Sequence, residues 1–209
     1  MELLIGSAFA IIISIYLIFV KEKYKSKNYK DLWLSIVIGL LVYLSAFVIE
    51  LFLKLIFKPN DFFNAFANIA ITEEGLKFLL VHLFIIKSKK QSSAYDIIKI
   101  LLLTSLSFAL FENIVYVNFF YESMGMDVAF LRLYTAIPMH AICGISMGYF
   151  IFNYKQTKNK LYLILAILIP LIMHGGYDYF IFIDKFIFSL LILIFSTIIH
   201  IRALKSYFI

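Results

Sequence analysis

The sequence predicts an all-α fold, a polytopic membrane bundle of about seven transmembrane helices, and three observations carry that prediction. Of the 209 residues, 63% are hydrophobic and 15% charged, with a mean hydropathy of +0.95; soluble domains are only about half apolar. The apolar residues gather into continuous runs close to the ~20 residues a helix needs to cross hydrocarbon. Those runs lack an alternation of period two and are too long for barrel strands. The formal charge of +6 comes from lysines lying between the runs, where they act as topology signals, so no nucleic-acid partner is expected. Nothing resembling a linker or repeat interrupts the chain, so residues 1–209 read as a single membrane-embedded domain.

The runs follow in order at about 3–20, 32–57, 62–86, 97–121, 133–153, 161–182 and 186–201, each close to one bilayer crossing. The first has its positive cluster after the apolar residues instead of before them, so it reads as an uncleaved helix and not as a signal peptide. The second and third meet at Lys58-Pro59-Asn60-Asp61, and the sixth and seventh at Asp184-Lys185. Fourteen of the nineteen Lys and Arg residues fall on one side: Lys21 to Lys30, Lys87 to Lys99, Lys155 to Lys160, and Arg202 with Lys205. Positive residues stay in the cytoplasm, so the N-terminus is expected outside and the C-terminus inside a bacterial cell membrane, with the lysine loops near anionic lipid.

Ionisable side chains are costly in hydrocarbon, which makes the few inside the spans informative. The third run carries Glu73, Glu74 and Lys77, the fourth Glu112 and Asn113, the fifth His140, and the sixth His174 and Asp178. At ~1.5 Å per residue, Glu112, His140, His174 and Glu73 lie roughly 10–16 Å from the outer ends of their helices. Four helices of alternating direction thus place polar groups at one depth, which points to one site in runs three to six, residues 62–182. The i,i+4 spacing lets Glu73 pair with Lys77 while Glu74 points about 100° away, and lets Asp178 steer the His174 imidazole. His140, Gly144 and Gly148 share a stripe, so His140 is expected on the close-packed face of its helix. Pro138 and Pro170 precede the two histidines and free backbone carbonyls near them. Counting Glu73, Glu74, Glu112 and Asp178 against Lys77 leaves −3, a charge that shared protons, cationic histidines or a metal must offset.

These residues resemble the PrsW-type intramembrane proteases, a family similar to the CAAX prenyl protease and bacteriocin-processing superfamily. The resemblance rests on Glu73-Glu74-x-x-Lys77, Phe108-x-x-x-Glu112 followed by Asn113 and Tyr116, Arg132 with Pro138-x-His140, and His174-x-x-x-Asp178. Its motifs occur in the family's order over residues 73–178. Wider superfamily members have Arg at the position of Lys77 and His at that of Glu112, and both departures agree with the PrsW branch. The resemblance implies a glutamic-type membrane protease whose best-known members cut a membrane-spanning anti-sigma factor on its extracytoplasmic side. An anti-sigma-factor-like protein or a pro-peptide would be the partner.

Peptide hydrolysis needs an activated water, an oxyanion stabiliser and a proton for the leaving amine. Glu73 or Glu74 could be the base, with Glu73 favoured by family position. Glu112 would share a proton or hold the water, His174 steered by Asp178 would donate to the oxyanion, and His140 would complete the polar wall. Lys77, Asn113 and Arg132 would support them. No cofactor is required by this scheme, although the same Glu, His and Asp side chains could bind zinc; no HExxH helix favours that. Other readings are plainer. Glu73 with Lys77 can be a neutralised pair, Glu112 with Asn113 a helix-packing contact, and Arg132 an anchor at the outer interface. Glu50 with Lys54 reads as a structural pair, and the tyrosines as interface aromatics. A proton- or cation-coupled transporter is the rival function, opposed by the absence of a repeated half.

Overall fold

The computed structural model describes residues 29–86, 93–116 and 125–208, and among them every regular element is helical. The first apolar run, and with it Lys21 to Lys27, lies outside the described residues. Helix α1 (Tyr29–Phe57) ends where Lys58 takes a left-handed φ of 41° and Pro59 forbids continuation. Asn60 caps the next helical turn by accepting from the Phe63 amide at 2.9 Å. The helical run that follows contains a π stretch, Asn64–Ala70, then α2 (Ile71–Val81), then a second π stretch, His82–Ile86.

Ser93 begins α3 (Ala94–Val115): its hydroxyl accepts from the Asp96 amide at 3.1 Å. The fifth expected run is two helices, α4 (Gly125–Tyr134) and α5 (Ala136–Thr157), broken at Thr135 just ahead of Pro138. Pro138 lies in the first turn of α5, where a missing N–H costs nothing. Helix α6 (Leu161–Phe182) runs through Pro170 without interruption. A turn with Asp184 at φ 57° leads into α7 (Phe186–Phe208).

Among the described residues, four helical stretches are long and apolar enough to cross a membrane: 30–57, 94–115, 127–157 and 161–182. Phe186–His200 is a shorter apolar helix. The α1 face carrying Trp33, Leu44, Val48, Phe52 and Leu55 is exposed, as suits a surface turned to lipid. Several such spans and a lipid-suited outer face are those of a multi-pass membrane protein.

The core joins Ile38, Val42 and Ala46 of α1 to Val81, Ile100, Leu101, Phe108, Met147 and Ile151, with α3 and α5 at its centre. Lipid is as apolar as leucine, so close backbone approach has to hold such helices together. A Cβ at Gly144 would stand 2.7 Å from the Leu101 carbonyl oxygen, and one at Gly148 would stand 2.7 Å from the Ile98 Cα. The two glycines therefore seat α5 on the backbone of α3, and His140 on the same stripe turns toward α3.

Candidate active site

The π stretch Asn64–Ala70 leads directly into the turn that carries Glu73 and Glu74, and it packs against α6 through Phe66. A Cβ on Gly175, next to His174, would lie 2.5 Å from the Phe66 ring. In this way one small residue allows the acid-bearing helix to approach the histidine-bearing one.

Glu73, Glu74, Lys77, His140 and His174 are all buried, each at most 3% exposed. The expectation that Lys77 pairs with Glu73 while Glu74 stands apart needs correction. Lys77 Nζ donates to Glu74 Oε1 at 2.8 Å and lies 3.5 Å from Glu73 Oε2, so both carboxylates share one ammonium. The reason is that i,i+3 and i,i+4 neighbours flank the same position on a helix face. Beneath the ammonium lies the Phe108 ring, 4.0 Å from Nζ to centroid.

Each histidine is held from outside the cluster by a carboxylate. Lys77 Nζ donates to His140 Nδ1 at 3.3 Å. An ammonium can only donate, so the ring proton sits on Nε2 and is given to Glu112 Oε2 at 3.0 Å. His174 Nε2 lies 3.3 Å from Asp178 Oδ2, while its Nδ1 faces Glu74 Oε1 at 3.0 Å and Glu73 Oε2 at 3.9 Å. The two rings meet edge to face, 4.8 Å between centroids.

Glu112 also accepts from Arg132 Nη2 at 2.7 Å, and Arg132 Nε donates to Asn113 Oδ1. Arg132 is therefore not an interface anchor but part of the site wall, stacked on Tyr116 with 4.1 Å between guanidinium and ring. It changes the charge inventory too, because Lys77 is not the sole cation near the carboxylates. Tyr177, expected at the interface, is buried at 4% exposure.

The residues fit a divalent metal. Glu73, Glu74, His140 and His174 can each offer one ligand atom, all within 4.8 Å of one another. Glu73 Oε2 and Glu74 Oε2 are buried without a hydrogen-bond donor, and each imidazole has its outer nitrogen held by a carboxylate, as metal-binding histidines commonly do. Neighbouring ligands of tetrahedral zinc stand roughly 3.3 Å apart, close to the 3.0 Å between His174 Nδ1 and Glu74 Oε1. This donor set was only half legible in the sequence: residue types and depth were visible, whereas the inward direction of both Nδ1 atoms depends on Glu112 and Asp178.

Buried carboxylates and imidazoles gathered from α2, α3, α5 and α6 of a membrane bundle define a class, the intramembrane hydrolase. The chain matches the PrsW family of intramembrane metalloproteases over residues 27–202 and belongs to that family. It is similar to Protease PrsW of Clostridioides difficile (strain 630), 30% identical over 195 residues that cover 88% of this chain and 81% of the relative. Protease PrsW of Oceanobacillus iheyensis is 33% identical over 181 residues, 84% of this chain and 79% of the relative. The Bacillus subtilis (strain 168) protein of that name is 26% identical over 168 residues, 77% of this chain and 74% of the relative. No solved structure matches the chain.

Proposed function

We propose that this protein is an intramembrane peptidase in which Glu73 activates the water that attacks a peptide bond near the extracytoplasmic side of a membrane-spanning or membrane-adjacent protein. The observation that carries the reading is the convergence of two carboxylates and two carboxylate-anchored imidazoles within 4.8 Å. Glu73 is the less tightly engaged of the two acids, 3.5 Å from the ammonium where Glu74 stands at 2.8 Å. It is therefore the one free to take a proton from water and return it to the leaving amine. His140 Nδ1, His174 Nδ1 and Glu74 would hold zinc, which supplies Lewis acidity at the scissile carbonyl when bound. Lys77 holds Glu74 in place and offsets charge, while Arg132, Asn113 and Glu112 fix the His140 ring.

A glutamate mechanism without metal is the second reading. It is favoured by the Lys77 ammonium, which already lies between Glu74 and His140 Nδ1. There His174, doubly protonated between Asp178 and Glu74, would stabilise the oxyanion. The topology that accompanies both readings has seven spans, the N-terminus outside, the C-terminus cytoplasmic, and the bacterial cell membrane as the setting. An anti-sigma-factor-like protein or a membrane-bound pro-peptide is the substrate class.

The test is cleavage of a co-expressed single-span reporter together with metal analysis of the purified protein. Glu73→Gln should lower cleavage by about 10²–10⁴-fold with the protein still inserted and folded. About one zinc per chain is expected for a three-ligand catalytic site, lost in His174→Ala, and chelation should stop cleavage. Full activity of metal-free protein would select the second reading. Unimpaired cleavage by Glu73→Gln would remove Glu73 as the base, and ion-dependent flux in liposomes with no cleavage would make the chain a transporter.

A further inference from the structure

One aromatic ring in the cluster has no task in that scheme. Phe108 stands on α3 one turn before Glu112 and is 1% exposed. The Lys77 ammonium of α2 lies over its ring, 4.0 Å from Nζ to centroid. The His140 ring of α5 meets it edge to face, 5.2 Å between centroids and 68° between planes. Tyr43 of α1 braces it in the same manner at 6.0 Å and 64°. Phe108 and Glu112 are i,i+4 and share one face of α3. That face holds His140 twice, through the ring contact and through the carboxylate that accepts from Nε2 at 3.0 Å.

An ammonium has three N–H donors, and out of water each needs a partner. Lys77, at 0% exposure, gives one to Glu74 Oε1 at 2.8 Å and one to His140 Nδ1 at 3.3 Å, while Glu73 Oε2 accepts none. The third partner is the negative face of Phe108, which serves a desolvated cation as water would at a surface. Ring and imidazole both stand on neighbouring helices, so together they hold the ammonium away from its own. Without the ring, Glu73 Oε2 at 3.5 Å is the nearest anion for the third donor. The acid that has to stay free for water would then be tied into a charge-assisted hydrogen bond.

We propose that Phe108 is a positioning residue for the hydrolysis: its ring face fixes the Lys77 ammonium on Glu74 and His140 and so keeps Glu73 available as the base. This rests on the peptidase reading above and adds to it a residue that acts only through another. Bulk alone does not suffice, because leucine at this position would fill space without offering a negative face.

The experiment replaces Phe108 in the full chain with mono-, di- and trifluorophenylalanine by stop-codon suppression. Fluorine drains the ring face stepwise while the shape of the side chain barely changes, so a cation held by that face loosens in proportion. Cleavage of the single-span reporter by purified protein should show kcat falling along the series, to about a tenth with the trifluoro ring, the factor for a desolvated cation–π contact. KM should stay within about twofold, since no contact with substrate is altered. Phe108→Leu should lose at least as much. The unfolding temperature in detergent should fall along the same series in wild type and stay level in a Lys77→Met background, where the cation is gone. A level kcat across the series would make Phe108 a packing residue, even if Phe108→Leu fails to fold, and the peptidase would stand. A KM that rises while kcat holds, or equal thermal losses with and without Lys77, would also overturn the assignment and leave the peptidase in place. If wild type cleaves no reporter, the peptidase reading fails and takes this inference with it.

Discussion

Lys77 is the residue on which the charge balance of the cluster turns. Its ammonium touches Glu74, Glu73 and His140 Nδ1 and stands over Phe108, with its whole side chain out of contact with solvent. A buried pair contributes little net stability compared with a well-packed apolar replacement, but removing one partner strands the other charge. Lys77→Met keeps most of the volume and leaves two carboxylates facing each other without a cation. The expected result is a loss of about 3–5 kcal/mol, read as a lowered unfolding temperature in detergent. Glu74→Gln in the same background should recover part of it, because the second substitution removes one of the stranded charges. A Lys77→Met protein as stable as wild type would mean that another cation or a shared proton does the balancing.

The helices that bring these residues together were legible to different degrees, for physical reasons that differ by element. The run over 161–182 coincides with α6, because length and hydropathy fix a spanning helix and short polar breaks fix its ends. The run over 133–153 concealed a break at Thr135, since one residue leaving helical dihedrals does not alter the hydropathy of an apolar window. The run over 62–86 concealed two π stretches, which leave hydropathy unchanged but rotate every residue after them. Glu73, Glu74 and Lys77 turn together within α2, so their mutual spacing is untouched, and the tightest contact falls to Glu74 because the i,i+3 neighbour reaches the same ammonium as the i,i+4 one. The His140-Gly144-Gly148 stripe was read correctly as a packing face, and its cost can be measured. At Gly148 the obstructing atom is the Ile98 Cα, backbone that cannot rotate away, whereas nothing lies within 4 Å of a Cβ at Gly75. Gly148→Ala should therefore destabilise the bundle by about 1–3 kcal/mol through forced separation of α3 and α5. Gly75→Ala should be neutral or stabilising by up to ~1 kcal/mol, since alanine is the better helix former. Thermal unfolding of the two variants side by side checks the contrast, and equal effects would refute the close-approach account.

For the whole molecule, the useful question is which face of the membrane the site lies nearer, because that decides where a substrate is cut. The polar groups agreed in depth when counted along four separate helices, and they do converge: His174 on α6 reaches Glu74 on α2, and His140 on α5 reaches Glu112 on α3. What depth alone could not supply was the partner of each group, because rotation about a helix axis leaves depth unchanged. Arg132 on α4, expected both as a supporting residue and as an interface anchor, takes the supporting place, through Glu112 and Asn113. The proposed orientation rests on the lysine bias: Lys155 sits in the last turn of α5 and Lys158 and Lys160 follow it, while the 58–61 and 183–185 turns carry one lysine each. That orientation would put Asn60 and Asp184 outside and Asn159 in the cytoplasm. Cys143 is the sole cysteine and is buried, so a Cys143→Ser background gives a clean start for single cysteines at 60, 159 and 184. A membrane-impermeant maleimide should label Asn60→Cys and Asp184→Cys in intact cells or right-side-out vesicles, and Asn159→Cys only after permeabilisation. The reverse pattern would turn the bundle over and bring the site nearer the cytoplasmic side. A peptidase with these residues would then have to cut its substrate on the inner face.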